Sequence, residues 1–457
     1  MALSARRVRN SLFAAHPART VVMAFAAVIV AGTVLLALPI ATEQRAGAGL
    51  ITALFTSTSA VCVTGLAVVD TGTYWSGFGE GVILALIQVG GFGIMTMASL
   101  LALLVAGRLR LRMQLTAQAE TKSLGIGDVR KVLLGVAGTT LIVELAVGAV
   151  LALRFRFGYA ESIGDAVYLG YFHAVSAFNN AGFGLHADSI TRYAQDAWVT
   201  LPIAAAVILG GIGFPVLLEL LRHRHRRRTT GRRNWTLHSK LTLITTAVLL
   251  FAGTVLTCLL EWTNPGTLGP FGWGGKLVNG FFHSAMSRTA GFNAIDMGEL
   301  HASTLLATCT LMFIGGGSAG TAGGIKVTTF AVLAVAIVAE VRGEPNSSIM
   351  GRRLGPHVLR QALTVALLGI GLVIAATLAL LTVTEERLEP VLFEVVSAFG
   401  TVGLSTGITA DIPGVGQLIL IALMFVGRLG PITLVSALAL RERTRRYELP
   451  EERPVIG

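Results

Sequence analysis

Four short segments of the sequence share one pattern: a phenylalanine, a semi-apolar stretch containing serine, and a glycine followed by an apolar residue. They run from Phe55 to Gly65 and Leu66, from Phe172 to Gly182 and Phe183, from Phe281 to Gly291 and Phe292, and from Phe393 to Gly403 and Leu404. The phenylalanine stands ten residues before the glycine each time, and the glycines are 117, 109 and 112 residues apart. Recurrence at a near-constant period marks a repeat architecture. Glycine reaches positive φ without Cβ strain, so it can turn carbonyls to one side. A ring of such carbonyls replaces the water shell of a potassium ion. Thr401-Val402-Gly403 matches the core of the TVGYG filter of potassium channels, and Val63-Thr64-Gly65, Asn180-Ala181-Gly182 and Thr289-Ala290-Gly291 are looser versions. One Thr-Val-Gly carries no weight, and single glycines in membrane helices ordinarily serve packing. The fourfold recurrence is what points to a filter. A short helix before each glycine would aim its negative C-terminal end at the ion.

Two further features bear on ion passage. Gly315, Gly316, Gly317, Ser318, Ala319, Gly320, Thr321, Ala322, Gly323 and Gly324 include six glycines in ten residues and lead to Ile325 and Lys326. At roughly 1 kcal/mol per glycine an unbroken helix is unfavourable there. A flexible intramembrane loop below the filter is expected, with Lys326 beside it as part of a gate. Arg428 falls near the middle of the last apolar stretch. A cation at mid-bilayer costs roughly 2.5–3.5 kcal/mol on insertion scales and so faces a cavity or a partner. Below a cation filter Arg428 would act as an electrostatic barrier; the structural alternative pairs it with Glu144 or Glu340.

The elements that must position these residues follow from composition. Of 457 residues 53% are hydrophobic and 13% charged, about half the charge of soluble domains. Residues 21–41, 81–106, 131–153, 197–221, 241–260, 362–383 and 417–440 are each long and apolar enough to cross roughly 30 Å of hydrocarbon. An eighth stretch, 305–340, is apolar but broken by the glycines. The run 21–41 exceeds the h-region of a cleaved signal peptide, so it is expected to remain. Cys62, Cys258 and Cys309 are far apart among apolar residues, without metal-ligand spacing or an even disulfide set.

The net charge of +11 is distributed in a way that argues against nucleic-acid binding: 27 of the 36 lysines and arginines gather at the N-terminus, at 108–131, 222–240 and 342–360, and from 441 onward. These clusters alternate with loops poor in basic residues, the positive-inside pattern for an even number of crossings with both ends cytoplasmic. The run from Arg222 to Arg228 is therefore a topology determinant first, and is compatible with docking a cytoplasmic partner. The intervening loops hold fifteen acids, Glu80, Glu261 and Glu394 among them, against seven basic residues that include Arg288. A net negative outer face concentrates cations.

Each glycine segment lies between two spanning stretches and is itself too short and polar to span. Irregular backbone at membrane depth survives only inside protein or along a water-filled cavity. The expected fold is an all-α integral membrane protein of four helix–pore-loop–helix repeats around a central pore, with eight spanning helices. Its parts are a cytoplasmic N-terminus (1–20), repeats at 21–106, 131–221, 241–340 and 362–440, cytoplasmic loops at 107–130, 222–240 and 341–361, the intramembrane loop 315–326, and a tail (441–457).

The four loops, the Gly-Gly-Ser-Ala-Gly-Thr-Ala-Gly-Gly-Ile-Lys segment and Arg428 resemble the Trk, Ktr and plant HKT potassium transporters, over nearly the whole chain. The first spanning helix leads directly into the first glycine loop, which is similar to the Ktr-type bacterial membrane subunit. The resemblance implies filter glycines at Gly65, Gly182, Gly291 and Gly403, a gating loop at 315–326 and an arginine beneath the filter at Arg428. It also implies a homodimer in the lipid of the bacterial inner membrane, working with a cytoplasmic RCK-type ring that carries the nucleotide. No cofactor is expected on this chain beyond K+, with Na+ as a second ion. HKT proteins often have serine at the first glycine and then favour sodium, so Gly65 speaks for potassium. Sodium- or proton-coupled symport and a less selective K+/Na+ pathway stay open. A transporter of two inverted repeats would explain the glycine break but not four loops. No enzyme motif is present, and His173 and His283 recur at similar repeat positions as helix structure.

Overall fold

Runs of leucine, valine and alanine without competing polar side chains satisfy their own backbone bonds as helix, the form an apolar environment requires. The computed structural model describes residues 17–93, 126–226, 235–344 and 346–430. Among these the chain is helical, with one two-stranded hairpin, Ser348–Ile349 against Arg352–Arg353.

The helices fall into four triplets, each a long first helix followed by two shorter ones, of which the middle one leads into a glycine loop. The first is α1 (Pro17–Leu36), α2 (Leu50–Val61) and α3 (Gly77–Gly93). The second is α4 (Ile126–Gly158), α5 (Ile163–Phe178) and α6 (Ala197–Gly211), extended by α7 (Phe214–Arg226). The third is α8 (Leu237–Glu261), α9 (Trp273–Met286) and α10 (Ala302–Phe313), followed by α11 (Val327–Val341). The fourth is α12 (Pro356–Leu381), α13 (Leu388–Gly400) and α14 (Gly414–Leu429). Each short helix packs on the first helix of its own triplet. It also meets the third helix of the preceding triplet: α9 on α6, α13 on α10 and α2 on α14. For α5 the link to α3 is the Asn179 amide, which donates to Gln88 Oε1 at 2.8 Å.

Three helices, Leu134–Gly158, Leu237–Glu261 and Pro356–Leu381, are long and apolar enough to cross a membrane. The stretch 197–221 is not the straight span expected from its apolarity. It bends by 102° between Ala197–Gly211 and Phe214–Leu221. Gly213 takes φ +94° at the bend, and a Cβ there would lie 2.4 Å from the Ser318 carbonyl oxygen. A chain segment packed into the break, which local sequence cannot reveal, sets the angle. The stretch 305–340 divides into α10 and α11 around the glycine-rich loop. Most of the basic loop 107–130, residues 227–234 of the basic run, and the tail 441–457 lie outside the described residues.

Three acids counted with the outer loops are in fact buried. Glu261, fully buried at the end of α8, accepts bonds from Asn264 (2.6 Å), Thr267 (2.7 Å), Thr304 and the His301 backbone N–H (3.0 Å). It ties α8 to the start of α10. Glu394, fully buried in α13, accepts from Ser405 and from Thr409 (3.1 Å) and so pins the chain that follows Gly403. Glu80 accepts from the Tyr168 hydroxyl. These carboxylates fasten loops and do not form a charged mouth.

Two of the short helices, α2 and α9, seat on the first helix of their triplet through a serine over a glycine. Ser57 donates to the Ile29 carbonyl at 2.8 Å and Ser284 to the Leu250 carbonyl at 2.9 Å. One turn on, a Cβ at Gly32 would lie 2.4 Å from Ser57 Oγ, and one at Gly253 would lie 2.3 Å from Ser284 Oγ. Gly32→Leu and Gly253→Leu should each destabilise the fold by about 1–3 kcal/mol through overpacking. Thermal unfolding in detergent should show a lowered Tm for both. Gly274→Ala, with nothing within 4 Å, should not lower it.

Candidate cation site and the loop beneath it

The four short helices stop just before the four glycines, because the backbone there turns left-handed. In the first, second and fourth copies the residue two before the glycine has positive φ: Val63 at 56°, Asn180 at 60° and Thr401 at 48°. The glycines follow at 91°, 73° and 92°. The third copy differs, with Thr289 at 154° and Gly291 at 66°. The intervening residue donates back to the serine six before the glycine: Thr64 to Ser59 O at 2.8 Å, Ala181 to Ser176 O at 2.7 Å, Val402 to Ser397 O at 2.8 Å. The hydroxyls of Ser59 and Ser397 also accept from the Gly65 and Gly403 N–H at 3.1 and 3.0 Å. In the third copy Ala285 occupies this place, and Ala290 donates to Met286 O at 3.0 Å instead.

The four loops close on one another in chain order. A Cβ at Gly65 would lie 2.3 Å from Ala181 O, one at Gly182 2.5 Å from Ala290 O, one at Gly291 2.4 Å from Val402 O, and one at Gly403 2.1 Å from Thr64 O. Each glycine thus faces the carbonyl that precedes the next glycine, and the fourth faces the first. Thr64, Ala181, Ala290 and Val402 are buried, and all four glycines line one cavity of about 350 Å³ together with Asp70, His186, Asn293 and Ser405. Of the twelve sequence-predicted loop residues, the four glycines and the residue before each therefore come together. What they gather is backbone oxygen, the ligand type a weakly hydrated monovalent cation takes in exchange for water.

On the other side of this ring, against the helix ends, lies the glycine-rich loop. Ile314 and Ile325 pair as a parallel bridge, with Gly315 N donating to Ile325 O at 2.8 Å and Val327 N to Gly316 O at 3.0 Å. The loop docks on the break between α6 and α7: Gly317 N donates to Gly211 O at 2.7 Å, and Phe214 N to Ala319 O at 3.1 Å. A Cβ at Gly317 would lie 2.3 Å from Ile212 O, and one at Gly323 1.9 Å from Thr401 Oγ1. The glycines at these positions permit close approach as well as breaking the helix. Thr321 meets the ring directly, its hydroxyl 2.8 Å from the Asn180 amide, which lies 2.7 Å from Thr289 Oγ1.

Three basic side chains hold this loop, each through backbone carbonyls. Arg428, 3% exposed, donates to Thr321 O and, at 3.2 Å, to Gly90 O. The expected structural alternative fails here, since among the described residues no carboxylate pairs with it. Glu144 binds Gln88 (3.3 Å) and Asn179 (3.0 Å), and Glu340 is exposed. Lys326 folds back on its own loop and donates to Ala322 O at 2.5 Å. The third is Arg288, placed by sequence among the outer-loop charges; it is 7% exposed and donates to Gly315 O at 3.3 Å. The signal was available, for Arg288 lies inside the repeated motif at the place held by Cys62, Asn179 and Gly400 in the other copies. His173 and His283 are buried helix residues bonded to Leu169 O and Thr308, and the three cysteines are buried and free.

Residues 2–445 match the family model described as TrkH, cation transport protein. The chain belongs to that family. It is 39% identical over 433 residues to the Ktr system potassium uptake protein B of Bacillus subtilis (strain 168), covering 94% of this chain and 95% of the relative. It is 33% identical over 466 residues to the potassium/sodium uptake protein NtpJ of Enterococcus hirae, covering both chains fully. Its fold is that of the potassium transporter TrkH from Vibrio parahaemolyticus, with a TM-score of 0.71 at 15% identity over 92% of this chain and 84% of that one.

At the cavity wall His186 lies 3.2 Å from the Tyr193 hydroxyl, near the Arg192–Asp188 pair. Burial, and then Arg192, hold its imidazole below the ordinary range, against Asp188, Glu161 and Asp70. It is therefore neutral at pH 7 and gains a positive charge only as the medium falls through that lowered pKa. Cation flux in liposomes carrying the full chain should drop on acidifying the cavity side. His186→Gln should flatten that drop; an unchanged profile would place the titrating group elsewhere.

Proposed function

We propose that this chain is the membrane subunit of a bacterial potassium uptake system and that the glycine ring is its selectivity filter. The observation that carries the reading is the closure of the ring, in which each glycine abuts the carbonyl of the next loop. In this reading the four triplets are pore-loop repeats with eight crossings in the inner membrane and both termini cytoplasmic. Carbonyls of residues 63–65, 180–182, 289–291 and 401–403 coordinate K+, and the negative ends of α2, α5, α9 and α13 add to the field. The loop 315–326 is the gate, closed across the pathway by Arg428 and Lys326. The relatives' names support potassium as the cargo. The word "system" in the name of the Bacillus relative supports a second component; here that partner is an RCK-type nucleotide-binding ring docked on the basic cytoplasmic loops of a homodimer.

A less selective K+/Na+ pathway is the second reading. The irregular third loop, where Thr289 leaves the conformation shared by the other three, favours it.

The direct test is rescue of a potassium-uptake-deficient bacterial strain at low external K+. The wild-type chain should restore growth, and reversal potentials in liposomes should follow the K+ gradient alone unless Na+ or H+ is coupled. Serine at Gly65, Gly182, Gly291 or Gly403 puts a Cβ into a neighbouring carbonyl. Each such variant should lower the K+/Na+ preference about tenfold, or 1.4 kcal/mol. Four variants with unchanged preference would remove the filter assignment.

Arg428→Gln keeps an amide donor but loses the charge. Because Arg428 binds carbonyls and not an acid, the change forfeits about 1.5–3 kcal/mol of charged hydrogen bonding without leaving a buried carboxylate unpaired. The protein should fold with a moderately lower Tm and pass K+ faster than wild type. A folded variant with slower flux would contradict the barrier role.

A further inference from the structure

We propose that Arg288 is a second cationic latch on the intramembrane loop, a positioning residue that ties release of the loop to the third glycine loop. The inference rests on the transport reading above and adds to it the coupling between gate and filter.

A guanidinium stays charged inside a protein, and a buried charge needs compensation from hydrogen bonds or a partner ion. Among the described residues Arg288 has one such bond, to Gly315 O at 3.3 Å, and no carboxylate partner. Gly315 is the root of the glycine-rich loop, the point where α10 ends and the bridge between Ile314 and Ile325 begins. Arg428 grips the same loop six residues on, at Thr321 O. Two arginines from opposite parts of the chain therefore hold root and centre.

They differ in what stands behind them. Arg428 belongs to α14, whereas Arg288 is covalently two residues from Ala290, whose carbonyl faces Gly182 in the ring. Its neighbour Thr289 contacts the Asn180 amide, which contacts the Thr321 hydroxyl. Loops two and three of the ring are thus joined to the gate twice, at Gly315 through Arg288 and at Thr321 through Asn180. Movement of the loop away from its dock removes the carbonyl of Gly315 from Arg288. The guanidinium must then find a new acceptor, and the peptide from 288 to 291 moves with it. A cavity of about 20 Å³ lined by Arg288, Asn180, Thr246 and Gly316 adjoins the group, enough for about one water that could replace the lost acceptor. Gate release and filter geometry are in this way one event on the third side of the ring, while the first and fourth loops have no equivalent cation.

The test reads the loop itself. In the full-length chain carrying Ser318→Cys, where Cys62, Cys258 and Cys309 are buried, a membrane-impermeant maleimide reports exposure of the loop. Arg288→Gln should raise the labelling rate at least fivefold, raise K+ flux and lower the K+/Na+ preference about threefold. Arg288→Lys, which keeps a charged donor, should return all three toward wild type. Labelling at the wild-type rate in folded Arg288→Gln protein would overturn the proposal, as would Arg288→Lys behaving like Arg288→Gln. If Arg288→Gln does not fold, Arg288→Met removes the buried charge and its donor to Gly315 O together at similar side-chain length. It should raise labelling likewise, and wild-type labelling there overturns the proposal. A wild-type chain that passes no K+ would sink the transport reading instead, and the labelling comparison would still decide the role of Arg288.

Discussion

Backbone carbonyls that end up far from water without a helical partner are the constraint on which this molecule turns. Four helices stop short in the interior, and each leaves carbonyls that no following turn can satisfy. An apolar surround makes such groups costly. The chain answers in two ways. On one side the four glycines of the ring border a cavity of about 350 Å³. On the other, basic side chains take the carbonyls: Arg428 at Thr321 and Gly90, Lys326 at Ala322, Arg288 at Gly315. Arginine in a protein interior is commonly explained by a carboxylate partner. Here the partner is peptide oxygen, which compensates the charge without a second buried charge.

The same constraint explains the glycines. A ring in which each loop abuts the next leaves no volume for side chains at the contact, as the 2.1–2.5 Å approaches to a notional Cβ demonstrate. Beneath it the glycine-rich loop lies against the broken ends of α6 and α7 at similar separations. Composition in these two places is dictated by backbone-to-backbone distance, and the loss of helix propensity is a by-product. Removing side chains also keeps the peptide dipoles within reach of each other and of whatever occupies the centre.

Much of this was legible in the sequence, and the remainder has identifiable causes. The four glycines and the loop at 315–326 were visible because spacing and composition survive translation into a string. The order in which the loops touch was not, since a repeat gives no information about its own closure. The bend at Gly213 was hidden by uninterrupted apolarity on both sides; its cause is Ser318, over a hundred residues away. By its segment Arg288 belongs with the outer-loop charges, whereas its burial depends on how the third loop folds. The burial of Glu261 and Glu394 is hidden for the same reason: a carboxylate between two apolar stretches does not reveal the hydroxyls and amides that surround it.

The ring is made by one polypeptide from four unlike loops, and this has a genetic consequence. In an assembly of four identical subunits every substitution is copied around the axis, so an inherited change in the coordinating backbone strikes all sides at once. Here a codon alters one quarter only. One quarter can thus differ from the other three, as the third loop does in its backbone at Thr289. A substitution in this chain should therefore be read quadrant by quadrant, because each quarter of the ring has its own neighbours.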